Sequence, residues 1–251
     1  MADPKHLDQL RSSSVLDWND RRPREPDLAG ADLSGVNLAR VDLSVADLRE
    51  ASLGGADLSI AHLSHANLTG AILTDADLTG ADLTGTDLTE TDLTAAKLDW
   101  ADLSGADLTA ADLSSCTLAG AQLRGTTLDG ADLEGTNLAE AVLRKSTLFR
   151  ANLRRVDLSG ADLSGATLRH ANLNGADLTN IKLSETNLSR ADLSGADLTE
   201  TDLSRTNLSE TNLSRADLSG ADLTAADLSS CTLAGAQLRG ATLSYANLNG
   251  A

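Results

Sequence analysis

From Leu28 onward a leucine recurs at every fifth residue, through Leu33, Leu38 and Leu43 to Leu248, with no substitution. Two residues before each leucine from Leu33 onward stands a small or β-branched residue. It is mostly Ala, otherwise Thr or Val, and in single cases Cys116, Ser146, Ile181 and Cys231. The residue before the leucine is usually Asp or Asn, the one after it usually Ser or Thr, and the fifth is often Gly. An α-helix turns ~100° per residue, so leucines five apart would spiral over every face. In a straight strand an odd spacing throws successive leucines to opposite faces. A single buried leucine stripe therefore requires the chain to turn a corner once per unit. Within each short extended piece the small residue and the leucine are two apart and share a side. The Gly at the end of the unit suits a turn with positive φ. A chain that turns in one sense every five residues winds into a solenoid with its leucines inside.

Units such as Ala101-Asp102-Leu103-Ser104-Gly105 and Ala191-Asp192-Leu193-Ser194-Gly195 resemble the A(D/N)LXX motif of the pentapeptide-repeat family. The resemblance runs from Asp27 to Ala251. It implies an all-β solenoid, a right-handed quadrilateral parallel β-helix with four units per coil and about eleven coils. At ~4.8 Å per coil such a rod is ~54 Å long.

Two regions are expected: residues 1–26 as a short helical N-terminal cap and residues 27–251 as the repeat β-helix. Asp3-Pro4 suits a helix start, with Pro at the first helical position. Leu7, Leu10, Val15, Leu16 and Trp18 can form an apolar face, and Pro23 and Pro26 end the segment. A final coil with no such cover would expose Leu243, Tyr245, Leu248 and its strand edges, which predicts a homodimer formed end to end.

Composition narrows the function classes. With 37 acidic against 20 basic residues the net charge is -17, which disfavours direct nucleic-acid binding through phosphate neutralisation. No apolar run reaches the ~18 residues of a membrane span, and Met1–Lys5 leads into no signal-like apolar stretch. A cytoplasmic protein is expected. No phosphate-cradling Gly loop, HExxH or paired-Cys spacing occurs, and the leucines fill the interior. No catalytic residue, cofactor or metal is assigned, and the chain reads as a non-enzyme.

Cys116 and Cys231 both occupy the inward small position, too far apart along the rod for a disulfide. They lie within a duplication, since residues 101–125 and 216–240 are identical. The offset of 23 units is not a multiple of four, so the copies face different sides of a four-sided coil. Asp42, His62 and Asp82 would stack in one column, as would Asp157, Asp177, Asp197 and Asp217.

Charge placement supplies the candidate sites. Arg144, Lys145, Arg150, Arg154 and Arg155 crowd into twelve residues on three successive sides of one coil, with Phe149 outward among them. Arg124 and Arg169 are expected beside Arg144 and Arg150. This basic belt on an acidic rod is the candidate surface for an unidentified protein partner. Trp100 and Ile60 read as isolated outward apolar residues. The resemblance implies an alternative. The family includes quinolone-resistance and topoisomerase-self-protection proteins, acidic rods that mimic DNA on gyrase. In that reading Asp157, Asp177, Asp197 and Asp217 are the mimicking carboxylates. The charge is thin for it, since ~54 Å of duplex carries ~32 phosphates against a net 17 here.

Overall fold

A computed structural model describes residues 2–12 and 14–251. Each five-residue unit contributes one parallel bridge, made by the residue before the leucine, and its partner lies 20 residues on. Asp27 pairs with Asp47, Asp32 with Ser52, Asn37 with Asp57 and Asp42 with His62, and the register holds to Asp227 with Asn247. Four units thus complete one coil. We number its sides 1 to 4 after Leu28, Leu33, Leu38 and Leu43. Among the described residues no strand is longer than a single bridge, because the turn consumes the rest of each unit.

The hydrogen bonds between coils repeat with the units. The Leu28 amide donates to the Asp47 carbonyl at 2.8 Å, the Asp47 amide to the Pro26 carbonyl at 2.8 Å, and the Gly30 amide to the Arg49 carbonyl at 2.8 Å. The turn closes with the Ala31 amide on the Leu28 carbonyl at 3.0 Å. Every fifth-position residue from Gly30 to Gly250 has positive φ, including the β-branched Val45 at 55° and Ile60 at 58°. The turn thus imposes the left-handed conformation whether or not Gly is present, at a cost of about 1–2 kcal/mol where it is not.

The motif Asp or Asn finishes the turn. Asp102 Oδ1 accepts the Ser104 amide at 2.9 Å, and the same bond recurs at Asp192 with Ser194. The inward Thr residues are satisfied as well: Thr86 Oγ1 donates to the Leu63 carbonyl at 2.9 Å and Thr126 Oγ1 to the Leu103 carbonyl at 2.8 Å. A hydroxyl can therefore replace Ala inside without leaving a buried orphan.

The ladder is interrupted once. The amides of Asn180, Ile181, Leu183, Glu185 and Asp202 lack the backbone bonds that their counterparts in neighbouring coils make. Ile181, buried on side 4 between Ala161 and Thr201, puts the largest side chain found at the small position into this stack. Overfilling a packed interior displaces backbone, and the amides without their bonds surround this residue, although the Lys182–Asp202 bridge is kept. A surface cleft of about 370 Å³ lined by Ser184, Glu185, Ser204, Arg205, Asp222 and Thr224 lies beside the gap.

At the N-terminal end, α1 (Pro4–Ser12) and α2 (Val15–Arg21) lie over the first coil. Trp18 is fully buried, and its Nε1–H donates to the Asp42 carbonyl at 2.8 Å. Asn19 accepts the Asp42 amide at 2.8 Å and donates to the Arg40 carbonyl at 3.0 Å. His6 Nδ1 accepts the Asp27 amide at 3.0 Å, and Arg22 pairs with Asp42 at 2.8 Å. The helices thus supply partners to an otherwise open ladder. Leu16 departs from the expected apolar face: it is exposed, because α2 turns Trp18 toward the coil instead. At the other end, Leu243 and Leu248 are 36% and 43% exposed and Tyr245 is almost fully so, whereas every leucine of the repeat up to Leu228 is buried. No helix among the described residues is long and apolar enough to cross a membrane.

Candidate functional site: a basic belt on an acidic rod

The residue after each leucine and the fifth residue form the corners of the coil, and this places the belt. Arg144 and Lys145 stand at the corner between sides 4 and 1, Phe149 and Arg150 between sides 1 and 2, and Arg154 and Arg155 between sides 2 and 3. The fourth corner of the same coil carries Glu140. The belt therefore wraps three corners and leaves side 3 and its far corner to the acids.

Phe149 organises the middle corner. The Arg150 guanidinium carbon lies 5.0 Å from the Phe149 ring centroid, and His170 meets the ring edge-on at 5.6 Å and 88°. The backbone beneath is set from the coil below, where Asp129 Oδ1 accepts the Phe149 amide at 2.8 Å. Arg144 and Arg154 reach Asp162 and Glu134 only at 3.9 Å. Lys145, Arg150 and Arg155 have no carboxylate within 4.0 Å among the described residues. Burial raises the pKa of Asp162, but hydrogen bonds from Ser164 and the nearby Arg144 outweigh it and leave the carboxyl below its ordinary value. A cleft of about 290 Å³ opens at the first corner, lined by Arg144, Lys145, Ser164, Gly165, Ser184 and Glu185.

The expected neighbour Arg169 does lie beside Arg150, whose amide donates to the Arg169 carbonyl at 3.1 Å. Arg169 stacks above Phe149, and His170 stacks above Arg150. That column continues through Arg190 to Glu210, which are joined by bonds of 3.0 and 2.9 Å. His170 is a member of the belt that composition alone did not point to. Its signal was the spacing of 20.

Asp157, Asp177, Asp197 and Asp217 do form one column of successive bridges on side 3. Each spends an oxygen on the backbone: the amides of Ser159, Thr179, Thr199 and Ser219 donate to them at 2.9–3.0 Å. Asp42, His62 and Asp82 are likewise consecutive on side 4. Among the described residues no three His, Cys, Asp or Glu side chains cluster as a metal site. Cys116 and Cys231 are both free and buried. The Cys116 thiol lies 2.8 Å from the Leu93 carbonyl, and burial pushes its pKa up to about 12.

Trp100 and Ile60, expected to be isolated, share the corner between sides 3 and 4, two coils apart. The Trp100 ring lies over Gly120, where a Cβ would fall 2.5 Å from it.

Comparison with known sequence families agrees with the repeat unit. The sequence pattern described as pentapeptide repeats matches in eight copies that together span residues 27–251. Among solved structures the chain is 36% identical to HetL, a pentapeptide repeat protein involved in heterocyst differentiation regulation from the cyanobacterium Nostoc. That match covers 98% of this chain and 96% of HetL, with a TM-score of 0.35. It is 19% identical to QnrB1, a plasmid-mediated fluoroquinolone resistance protein, over 74% of this chain and 88% of that one, with a TM-score of 0.41. It is 31% identical to Rfr23, a pentapeptide repeat protein from the cyanobacterium Cyanothece, over 44% of this chain and 85% of that one, with a TM-score of 0.25. No curated protein sequence matches. With a five-residue unit that turns one corner, a coil closed every 20 residues and a family pattern covering nine-tenths of its length, the chain belongs to the pentapeptide-repeat family.

Proposed function

We propose that this protein is a non-catalytic scaffold whose outer faces bind a protein partner, with residues 1–26 as cap and 27–251 as the binding rod. The basic belt, Arg144, Lys145, Phe149, Arg150, Arg154 and Arg155, is the contact surface. The observation that carries this reading is Arg150 stacked on Phe149 at 5.0 Å between two further pairs of cations, on a chain of net charge -17. Aromatic and Arg side chains together are the usual anchors of a protein interface, and a partner with acidic groups fits them. Affinity capture should separate the wild type from an Arg144→Glu, Arg150→Glu, Arg154→Glu variant with unchanged thermal unfolding. A partner held equally by both would remove the belt from the reading.

A second reading, DNA mimicry toward gyrase or another topoisomerase, is favoured by side 3. There Glu140, Asp157, Asp177, Asp197, Glu200 and Asp217 follow one another with no Lys or Arg between them. Gyrase supercoiling inhibited by the wild type and not by a variant with Lys at the four Asp positions is the expected result. A second copy of the chain is a further proposed partner, through Leu243, Tyr245 and Leu248, whose side chains are exposed. Sedimentation velocity should then show a dimer that Leu243→Arg with Leu248→Arg dissociates.

A further inference from the structure

We propose that the corner between sides 3 and 4 is a separate docking site for a basic peptide segment of a partner protein, with a Lys or Arg of that segment stacked on the exposed face of Trp100. This goes beyond the belt, which occupies the other three corners and has the opposite charge.

The indole is held as a platform. Trp100 adopts φ 63° at the turn, and its ring lies along the rod over Gly120. An added Cβ there would sit 2.5–2.9 Å from three ring atoms. One ring face is thus backed by main chain, and the side chain is still 68% exposed. A flat aromatic surface fixed before binding loses little freedom on contact. Ile60, half exposed, lies on the same corner two coils earlier against Gly80, ~9.6 Å along the rod. It supplies a second apolar foothold for the same segment.

The charges around the ring select the ligand. Asp77 and Asp99 flank the corner on side 3, Asp82 and Asp102 on side 4, and Glu140 follows in the Trp100 column, against Lys97 alone. No cation of the described residues lies over the indole, since Arg150 on Phe149 is the one such stack present. An indole with an exposed face on an acidic corner fits a cationic side chain, an arrangement worth about 0.5–1 kcal/mol at an exposed site, although Asp99 already accepts from Thr117 and Ala119.

The molecule contains its own control. Residues 101–125 recur unchanged at 216–240, and the residue before the second copy is Arg215. Arg215 takes φ 60° and leans over Gly235, its Cγ 3.6 Å from the added Cβ position, as Trp100 leans over Gly120. The same local sequence therefore folds the same way without an indole, and the turn does not require Trp100.

The chain has two tryptophans, and Trp18 is fully buried, so changes in solvent-exposed emission report on Trp100. A fluorescein-labelled peptide alternating arginine and alanine is the probe, with glutamate replacing arginine in the control peptide. Binding of the arginine peptide should quench or blue-shift the exposed indole, and the glutamate peptide should not. Trp100→Ala, a residue that this turn already holds at Ala95, Ala110 and Ala225, should weaken binding measured by anisotropy about two- to fivefold at unchanged thermal stability. Ile60→Gly should weaken it as well. Arg150→Glu on the belt should not. Absence of binding, equal affinity in Trp100→Ala, or binding that leaves the indole emission unchanged would overturn the proposal and leave the belt reading untouched.

Discussion

Asp129 caps a turn in the coil above its own: its Oδ1 accepts the Phe149 amide at 2.8 Å. That amide would ordinarily be held by the motif position of its own unit, but half-buried Thr147 stands there, its buried Oγ1 unpartnered. Asp99 does the same for Ala119 at 2.8 Å, where Thr117 replaces the motif Asp. A carboxylate moved by one coil can thus replace a missing one. Removing Asp129 with Ala should cost about 1 kcal/mol, the scale of a lost helix cap or hydrogen bond. Adding Thr147→Asp should recover most of it, and urea unfolding of the three variants measures both.

The positive-φ corner gives a stabilising substitution. Val45 and Ile60 are β-branched residues in the left-handed region, and Gly relieves that strain at some cost in unfolded-chain entropy. Val45→Gly should raise stability by roughly 0.5–1 kcal/mol. A fall in the urea midpoint would show that the Val side chain contributes more by packing than its backbone loses.

The interruption at Ile181 should be visible in exchange. Amide hydrogens of Leu183 and Glu185 are expected to exchange faster than those of Leu163 and Gly165, which keep their bonds to Lys182 and Ser184. Ile181→Ala, which restores the usual small residue, should slow them. Equal protection at all four amides in the wild type would mean that the missing bonds form in solution.

Acid should weaken the rod. Hydrogen bonds from Ser229 and Asn247 hold Asp227 below the ordinary carboxylate range, those from Ser34 do so for Asp32, and Thr89 outweighs burial at Asp87. A depressed folded pKa contributes stability that is complete above the unfolded value of about 3.9 and is lost as pH falls through the folded one. Urea midpoints should therefore hold steady near neutrality and drop below about pH 4. Relief of the net negative charge works in the other direction, and a midpoint that rises on acidification would show that it dominates.

The spacing of the leucines led to the solenoid because a period of five is incompatible with one face of either a helix or a straight strand. The number of sides came from the family resemblance, and the bridge register now displays it. What stayed illegible has a common cause: the 20-residue spacing names the column a residue joins, but not which side chains meet across it. His170 was therefore left out of the belt, and its edge-on contact with Phe149 emerges only from the structure. Compensation between Asp129 and Thr147 was hidden in the same way. Leu16 misled for another reason, since a short helix sends only part of its apolar residues to the surface it covers.

The duplicated segment shows what a four-sided coil does to inheritance by units. Residues 216–240 repeat 101–125 at a distance of 115 residues, five full coils and three further sides, so an identical stretch looks out at a different azimuth. Insertion of four units lengthens such a rod and leaves every surface beyond it aimed as before. Insertion of one turns the whole remainder by a quarter revolution. Length and bearing are set by the same digit, and a docking face can be redirected without changing any residue in it.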